Sequence, residues 1–142
     1  MHHGIRAFII ITVLFISSQS MPALAHEKAE QKAVDVSRAW LALVDGERYG
    51  ESWEEAALYF RNAINKELWQ QSLNAVRKPL GKVIRRAVKS KQYSTSLPGA
   101  PDGEYVVIQY ETSFSNKKSA LETITPMLDR DGKWRVSGYY IK

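Results

Sequence analysis

The chain of 142 residues has no cysteine. That excludes disulfides, thiolate nucleophiles, cysteine metal sites and a lipoprotein anchor on an acylated cysteine. Histidine is almost as scarce, with His2, His3 and His26 only. The first two fall in an N-terminal stretch that reads as removable, and His26 would then be the new N-terminus. A Ser-His-Asp triad, a Cys-His dyad and a histidine-rich zinc site are therefore not expected. An N-terminal His26 has an amine and an imidazole to offer copper, but the second histidine of a clamped copper site is missing. No metal and no cofactor is expected. Neither glycine-rich phosphate loop, G-x-x-x-x-G-K or G-x-G-x-x-G, occurs. No run of apolar residues is long enough to span a bilayer, which takes about 20.

The N-terminus has its own character. Arg6 supplies a positive charge, Ala7 to Ile16 is apolar apart from Thr12, and Ala23-Leu24-Ala25 offers the small residues of a cleavage site. An apolar core of this size fits a secretory signal, whose hydrophobic region runs to roughly 7–15 residues. The expectation is a signal peptide over residues 1–25, a single domain over 26–142, and a periplasmic or secreted address. Of the 20 basic residues in the chain, Arg6 leaves with the signal, so the remainder is basic by +4 against 15 acids. A mildly basic exported protein suits anionic partners such as lipid headgroups, and export makes nucleic acid an unexpected target. With no disulfide, packing must carry stability, and four Trp, seven Tyr and four Phe supply bulk for it.

What is present divides into a helical half and a sheet half. Ala29, Ala33, Val36, Trp40, Leu43 and Val44 form one apolar stripe and predict a helix over 27–44, ended by Asp45-Gly46. Ser52 with Glu55 reads as a capping box that opens a second helix at Trp53. Asn62 to Asn65 breaks that helix, Asn65 can cap the next over 66–77, and Pro79 ends it. Residues 83–96 read as an exposed first strand rich in cations. Two prolines and two glycines put a turn at 98–103. Glu104 to Phe114 alternates cleanly, with Val106, Ile108, Tyr110, Thr112 and Phe114 on the core face. A polar turn is expected at 116–119. A strand over 120–129 tolerates Pro126 only at an edge or a bulge. An Asp131-Gly132 turn leads to a last strand over 133–141, with Trp134, Val136, Gly138 and Tyr140 on one face.

Few side chains suggest chemistry. Asp45, Glu47, Glu51, Glu54 and Glu55 cluster near the first turn, where acids ordinarily serve helix-end electrostatics. Arg77 to Lys91 contains seven cations and no acid; this is either a charged edge strand protected from aggregation or an anion-binding face. Lys82, Arg85, Lys89 and Lys91 are the candidates for anionic-surface contact. Glu122 lies mid-strand among apolar residues. A two-residue loop at Asp131-Gly132 places Thr123 opposite Tyr140 and Glu122 on the other face. A three-residue loop over 130–132 places Glu122 opposite Tyr140, on the Trp134 face. Inward, Glu122 must pair with an arginine, Arg86 or Arg77, or be held protonated, and the raised pKa that burial brings is what a general base needs. The catalytic candidates are thus Glu122, Asp45, Tyr110 and Tyr140, and the ligand-binding candidates are Trp53, Arg77, Arg86, Tyr110 and Trp134.

The residues Leu97-Pro98-Gly99-Ala100-Pro101-Asp102-Gly103-Glu104-Tyr105, Tyr110-x-Thr112-x-Phe114, Glu122-Thr123 and Gly132-x-Trp134-Arg135-Val136-x-Gly138-Tyr139 resemble the DUF4019 family. Trp40-Leu41, Asp45, Tyr49, Ser52-Trp53, Arg77-x-Pro79-Leu80-Gly81 and Arg86 extend the resemblance over nearly all of residues 26–142. It implies an α+β fold of the NTF2-like cone type, with N-terminal helices packed on a curved antiparallel sheet of about four strands. It supplies no catalytic residue, and that fold class hosts enzymes, binders and dimerisation modules alike. The leading expectation is a non-enzymatic module that holds a small ligand in a cone pocket or forms a homodimer through the sheet. One alternative is a small isomerase or dehydratase using a buried carboxylate and tyrosines. Another is an envelope protein whose basic face makes peripheral contact with anionic lipid.

Overall fold

A computed structural model describes residues 21–142. The proposed signal core and Arg6 lie outside those residues, while 21–25 form the first turns of helix α1. The order is α1 (Met21–Asp45), α2 (Tyr49–Glu54), α3 (Leu58–Ala63), α4 (Lys66–Val76), a 3-10 turn (Lys78–Leu80), then β1 (Val83–Ser94), β2 (Tyr105–Phe114), β3 (Lys117–Leu128) and β4 (Trp134–Ile141). The strands form one antiparallel sheet in the order β1-β2-β3-β4, each joined to the next by a hairpin. The fold is α+β, as expected.

Helix α1 packs across all four strands. Its buried stripe of Ala33, Val34, Ser37, Trp40, Leu41 and Val44 meets Val106, Ile108 and Tyr110 of β2, Ile124 of β3 and Val136 of β4 in one core. The even-numbered face of β2 is indeed the core face, and its five residues are all buried. Tyr110 shows how the polar tips are accommodated: its hydroxyl shares a 2.6 Å hydrogen bond with Ser37 Oγ, which also donates to Val34 O at 2.8 Å. Among the described residues no helix belongs to a core on the opposite sheet face.

Three local expectations are corrected. Ser52 does not open a helix. It sits inside α2, wholly buried, where its hydroxyl donates to Tyr49 O and accepts from Trp69 Nε1. Its carbonyl accepts from Trp40 Nε1 at 2.7 Å, so this one residue ties α1, α2 and α4 together. The single helix expected beyond Trp53 is divided, because Ala57 turns extended and donates its N–H to Val136 O of β4 at 2.8 Å. The polar turn between β2 and β3 is tighter than expected, with Lys117 already paired to Phe114. Asn65 does cap α4, its side chain accepting from Leu68 N at 2.9 Å.

The last hairpin resolves the register question in a way neither loop length predicts. Asp129 N bonds Lys133 O, so the loop has three residues and Pro126 pairs with Val136. A register shift between Ile124 and Pro126 then places Ile124 opposite Tyr139 and Thr123 opposite Tyr140. One extra residue of β4 is accommodated at Ser137-Gly138, a bulge that exchanges the two faces of the strand beyond it. Trp134 and Val136 face the core, but so does Tyr139, while Tyr140 is 59% exposed. Glu122 remains inward, with Ile141 opposite. The expectation that Tyr140 shares the Trp134 face is thereby overturned.

Candidate functional site

Glu122 is fully buried. Its Oε1 accepts from Arg86 Nε at 2.7 Å and from Thr112 Oγ1, and its Oε2 accepts from Arg86 Nη2 at 3.2 Å and from the Tyr139 hydroxyl. A carboxylate offers about four lone-pair sites, and all four are used. Burial, reinforced by the adjacent Glu122 charge, pushes the Tyr139 phenol far above its ordinary value and keeps it a donor.

Arg86 extends the cluster outward. Its Nη1 donates to Asp45 Oδ2 at 2.7 Å and its Nη2 to Asp45 Oδ1 at 3.0 Å. Bonds to the two carboxylates hold this guanidinium protonated against the opposing effect of burial. Arg77 donates Nη2 to Asp45 Oδ1 at 3.1 Å and Nη1 to Gly81 O, and its guanidinium lies 4.5 Å above the Phe114 ring. Asp45 is the last residue of α1, where the helix dipole disfavours an anion; two arginines compensate. The cluster takes Asp45 from α1, the α4 C-cap Arg77, Arg86 from β1, Thr112 from β2, Glu122 from β3 and Tyr139 from β4.

Among the described residues, three clefts stand out. One of about 320 Å³ reaches the outer side of this cluster, at Asp45, Arg77 and Tyr49. A second, about 560 Å³, is a polar groove between α2 and α4 walled by Glu51, Glu54, Lys66 and Gln70. The third, about 630 Å³, lies between α3, the 98–103 turn and the β3–β4 loop, and includes Leu58, Tyr59, Met127 and Arg130. At its rim Arg135 bonds both Asp129 and Asp131, and the Asp131 carboxyl is lowered to about 2, chiefly by the Arg135 hydrogen bond.

The sequence-derived candidates distribute unevenly over this geometry. Asp45, Arg77, Arg86 and Glu122 come together, but as one mutually bonded cluster. Glu122 lines none of the three clefts. Tyr110 is buried against Ser37, Trp53 donates to Ile64 O at 2.7 Å, and Trp134 packs on the core; none of the three lines any of these three clefts. Lys82, Arg85, Lys89 and Lys91 stay on the surface around β1. Tyr139 and Thr112 were missed as partners of Glu122. The signal for Thr112 was its place on the core face of β2; Tyr139 was hidden by the bulge. Among the described residues no group of three His, Cys, Asp or Glu is placed to hold a metal ion, and the His26 ring stacks on Tyr93 at 4.1 Å.

Fold and cluster together define a small α+β domain in which a polar network links the four strands to the ends of α1 and α4. A family model described as Protein of unknown function (DUF4019) matches residues 36–139, and the chain belongs to that family. No curated protein and no solved structure matches it.

Proposed function

We propose that this is a non-enzymatic assembly module that pairs with a second copy through the open face of its sheet. The observation that carries the reading is the contrast between the two faces. The inner face is filled, and its one wholly buried carboxylate has every acceptor site occupied. A general base needs a free lone pair beside space for substrate, and Glu122 has neither. This disfavours the isomerase alternative. No helix among the described residues packs a core on the outer face, whose centre is uncharged: Val107 and Gln109 of β2, Leu121, Thr125 and the buried Thr123 of β3, and the exposed Tyr140 of β4. The charges of this face lie toward the two ends, Arg85, Glu111 and Lys142 at one, and Arg135, bonded to Asp129 and Asp131, at the other.

Four strands about 4.8 Å apart and some eight residues long, at about 3.3 Å each, span roughly 500 Å² in projection. That is the same order as the ~800 Å² per partner of a standard interface. A two-fold axis through such a face opposes like residues, which an uncharged centre tolerates and a charged one does not. Sedimentation velocity across micromolar concentrations tests this. The protein is expected to dimerise, and Tyr140→Arg to shift the equilibrium to monomer with unchanged circular dichroism. A wild-type monomer throughout that range would overturn the reading. A secretory address belongs to the same proposal, and N-terminal sequencing of the protein isolated from its native cell is expected to begin at His26.

A further inference from the structure

The cations of the 77–91 stretch are not spread evenly over the fold. Between Glu67 and Asp102 the chain has no acidic residue. Pairing brings the start of this stretch against a second cationic segment that the sequence reading did not connect with it. Ser115 N bonds Lys82 O at 2.8 Å, Arg85 pairs with Ser113, and Phe114 pairs with Lys117. Lys82, Arg85, Lys117 and Lys118 therefore meet at the β2–β3 hairpin end of the sheet, and Lys89 and Lys91 continue along the β1 edge. Among the described residues only Lys89 of these six has a carboxylate within 4 Å, Glu111 at 3.9 Å. Six cations and one acid carry +5, more than the +4 of residues 21–142 as a whole. The remainder of the molecule is slightly acidic, so the charge is polarised toward this end and edge.

One apolar side chain stands in the middle of it. The β1–β2 register slips between Val83 and Arg85, so Ile84 is an extra residue without a rung of its own. It is 68% exposed, more than any other large hydrophobic residue in the sheet. Edge strands are normally protected by charged side chains and by bulges that twist the edge away; this bulge presents an exposed isoleucine between Lys82-Val83 and Arg85.

We infer that this end of the sheet is a peripheral docking surface for an anionic lipid bilayer, with the cations on the headgroups and Ile84 inserted at the acyl boundary. Polybasic clusters bind anionic leaflets through additive contributions of about 1 kcal/mol per Lys or Arg, and an inserted apolar group adds to that. Two features favour lipid over nucleic acid. An exposed isoleucine has no use against a phosphate backbone, and no aromatic side chain among the exposed residues of β1 or the hairpin offers a base a stacking platform. The surface lies at an edge and one end of the sheet, so the inference does not depend on the pairing of outer faces.

Co-sedimentation of the purified protein with vesicles of phosphatidylcholine alone, or of phosphatidylcholine with phosphatidylglycerol, tests it. Binding is expected on the anionic vesicles only and to weaken steeply with added salt. Arg85→Gln and Lys117→Gln are each expected to lower the partition coefficient about fivefold, the equivalent of ~1 kcal/mol. Ile84→Ser is expected to lower vesicle binding while leaving retention on a DNA column unchanged. All three positions are on the surface, and circular dichroism checks that the variants fold. Equal binding to both vesicle types, or binding indifferent to Arg85→Gln and Lys117→Gln, overturns the inference. Charge-dependent binding that Ile84→Ser does not weaken overturns the lipid assignment in favour of a general polyanion.

Discussion

At the scale of single residues the account rests on Glu122 and Arg86. A buried ion pair contributes little net stability, but removing one partner strands the other charge. Here Arg86 keeps Asp45 as a partner, so what Glu122→Gln removes is acceptor sites for the buried Arg86, Thr112 and Tyr139 donors, at an expected cost of about 1–3 kcal/mol in urea unfolding. A loss below about 0.5 kcal/mol for Glu122→Gln, typical of a surface position, would contradict the cluster. Tyr139 supplies a pH test. Its phenol has a higher pKa in the fold than the ordinary 10.0, so its contribution is fully present below pH 10 and is lost as pH rises toward the folded value. The wild type is expected to lose more stability between about pH 9 and 11 than Tyr139→Phe does, read as the shift in urea midpoint. Equal shifts would contradict the assignment. Of this cluster the sequence displayed the ingredients and one correct pairing option, Arg86 with Glu122. It could not say which of seven cations turns inward, because β1 slips register twice, near Ile84 and again between Val88 and Ser90.

At the scale of elements, the strand most legible in the sequence was β2, whose period of two is unbroken from Val106 to Phe114. The least legible was β4. Its alternation is interrupted at Ser137-Gly138 by a bulge that the sequence marks only with a glycine, and one extra residue exchanged the roles of Tyr139 and Tyr140. The helices show the same limit. Ser52-x-x-Glu55 has the form of a capping box, yet Ser52 is used inside α2 to bond Tyr49 O and Trp69 Nε1; tertiary partners outweighed the local signal. Gly81 is where an element boundary is most constrained. Its φ is +79°, and an added Cβ would stand 2.0 Å from Ser115 Oγ, which accepts from Lys82 N at 3.0 Å. Gly81→Ala is expected to cost at least about 1–3 kcal/mol through backbone strain alone, measured by urea unfolding. A neutral result would mean that the turn joining α4 to β1 can rearrange.

At the scale of the whole molecule, a closed interior and an open exterior divide the work. Helix α1, with residues of α2, α3 and α4, packs the core against one sheet face, the polar network ties all four strands to the ends of α1 and α4, and the proposed recognition is by the outside. The α+β class was legible because the helical and strand periods occupy separate halves of the chain. The packed core between helices and sheet was not, since aromatic content alone does not distinguish a lined pocket from a packed core. Absence of cysteine makes the pairing of outer faces directly testable. A single cysteine placed on the outer face, Gln109→Cys or Thr125→Cys, is the only thiol in the molecule, as is a control on α4, Gln71→Cys. Under mild oxidation at micromolar protein, at least one of the outer-face variants is expected to form a covalent dimer much faster than the control, because a two-fold axis through the sheet brings like positions together. Cross-linking at the same slow rate in all three would contradict the central claim.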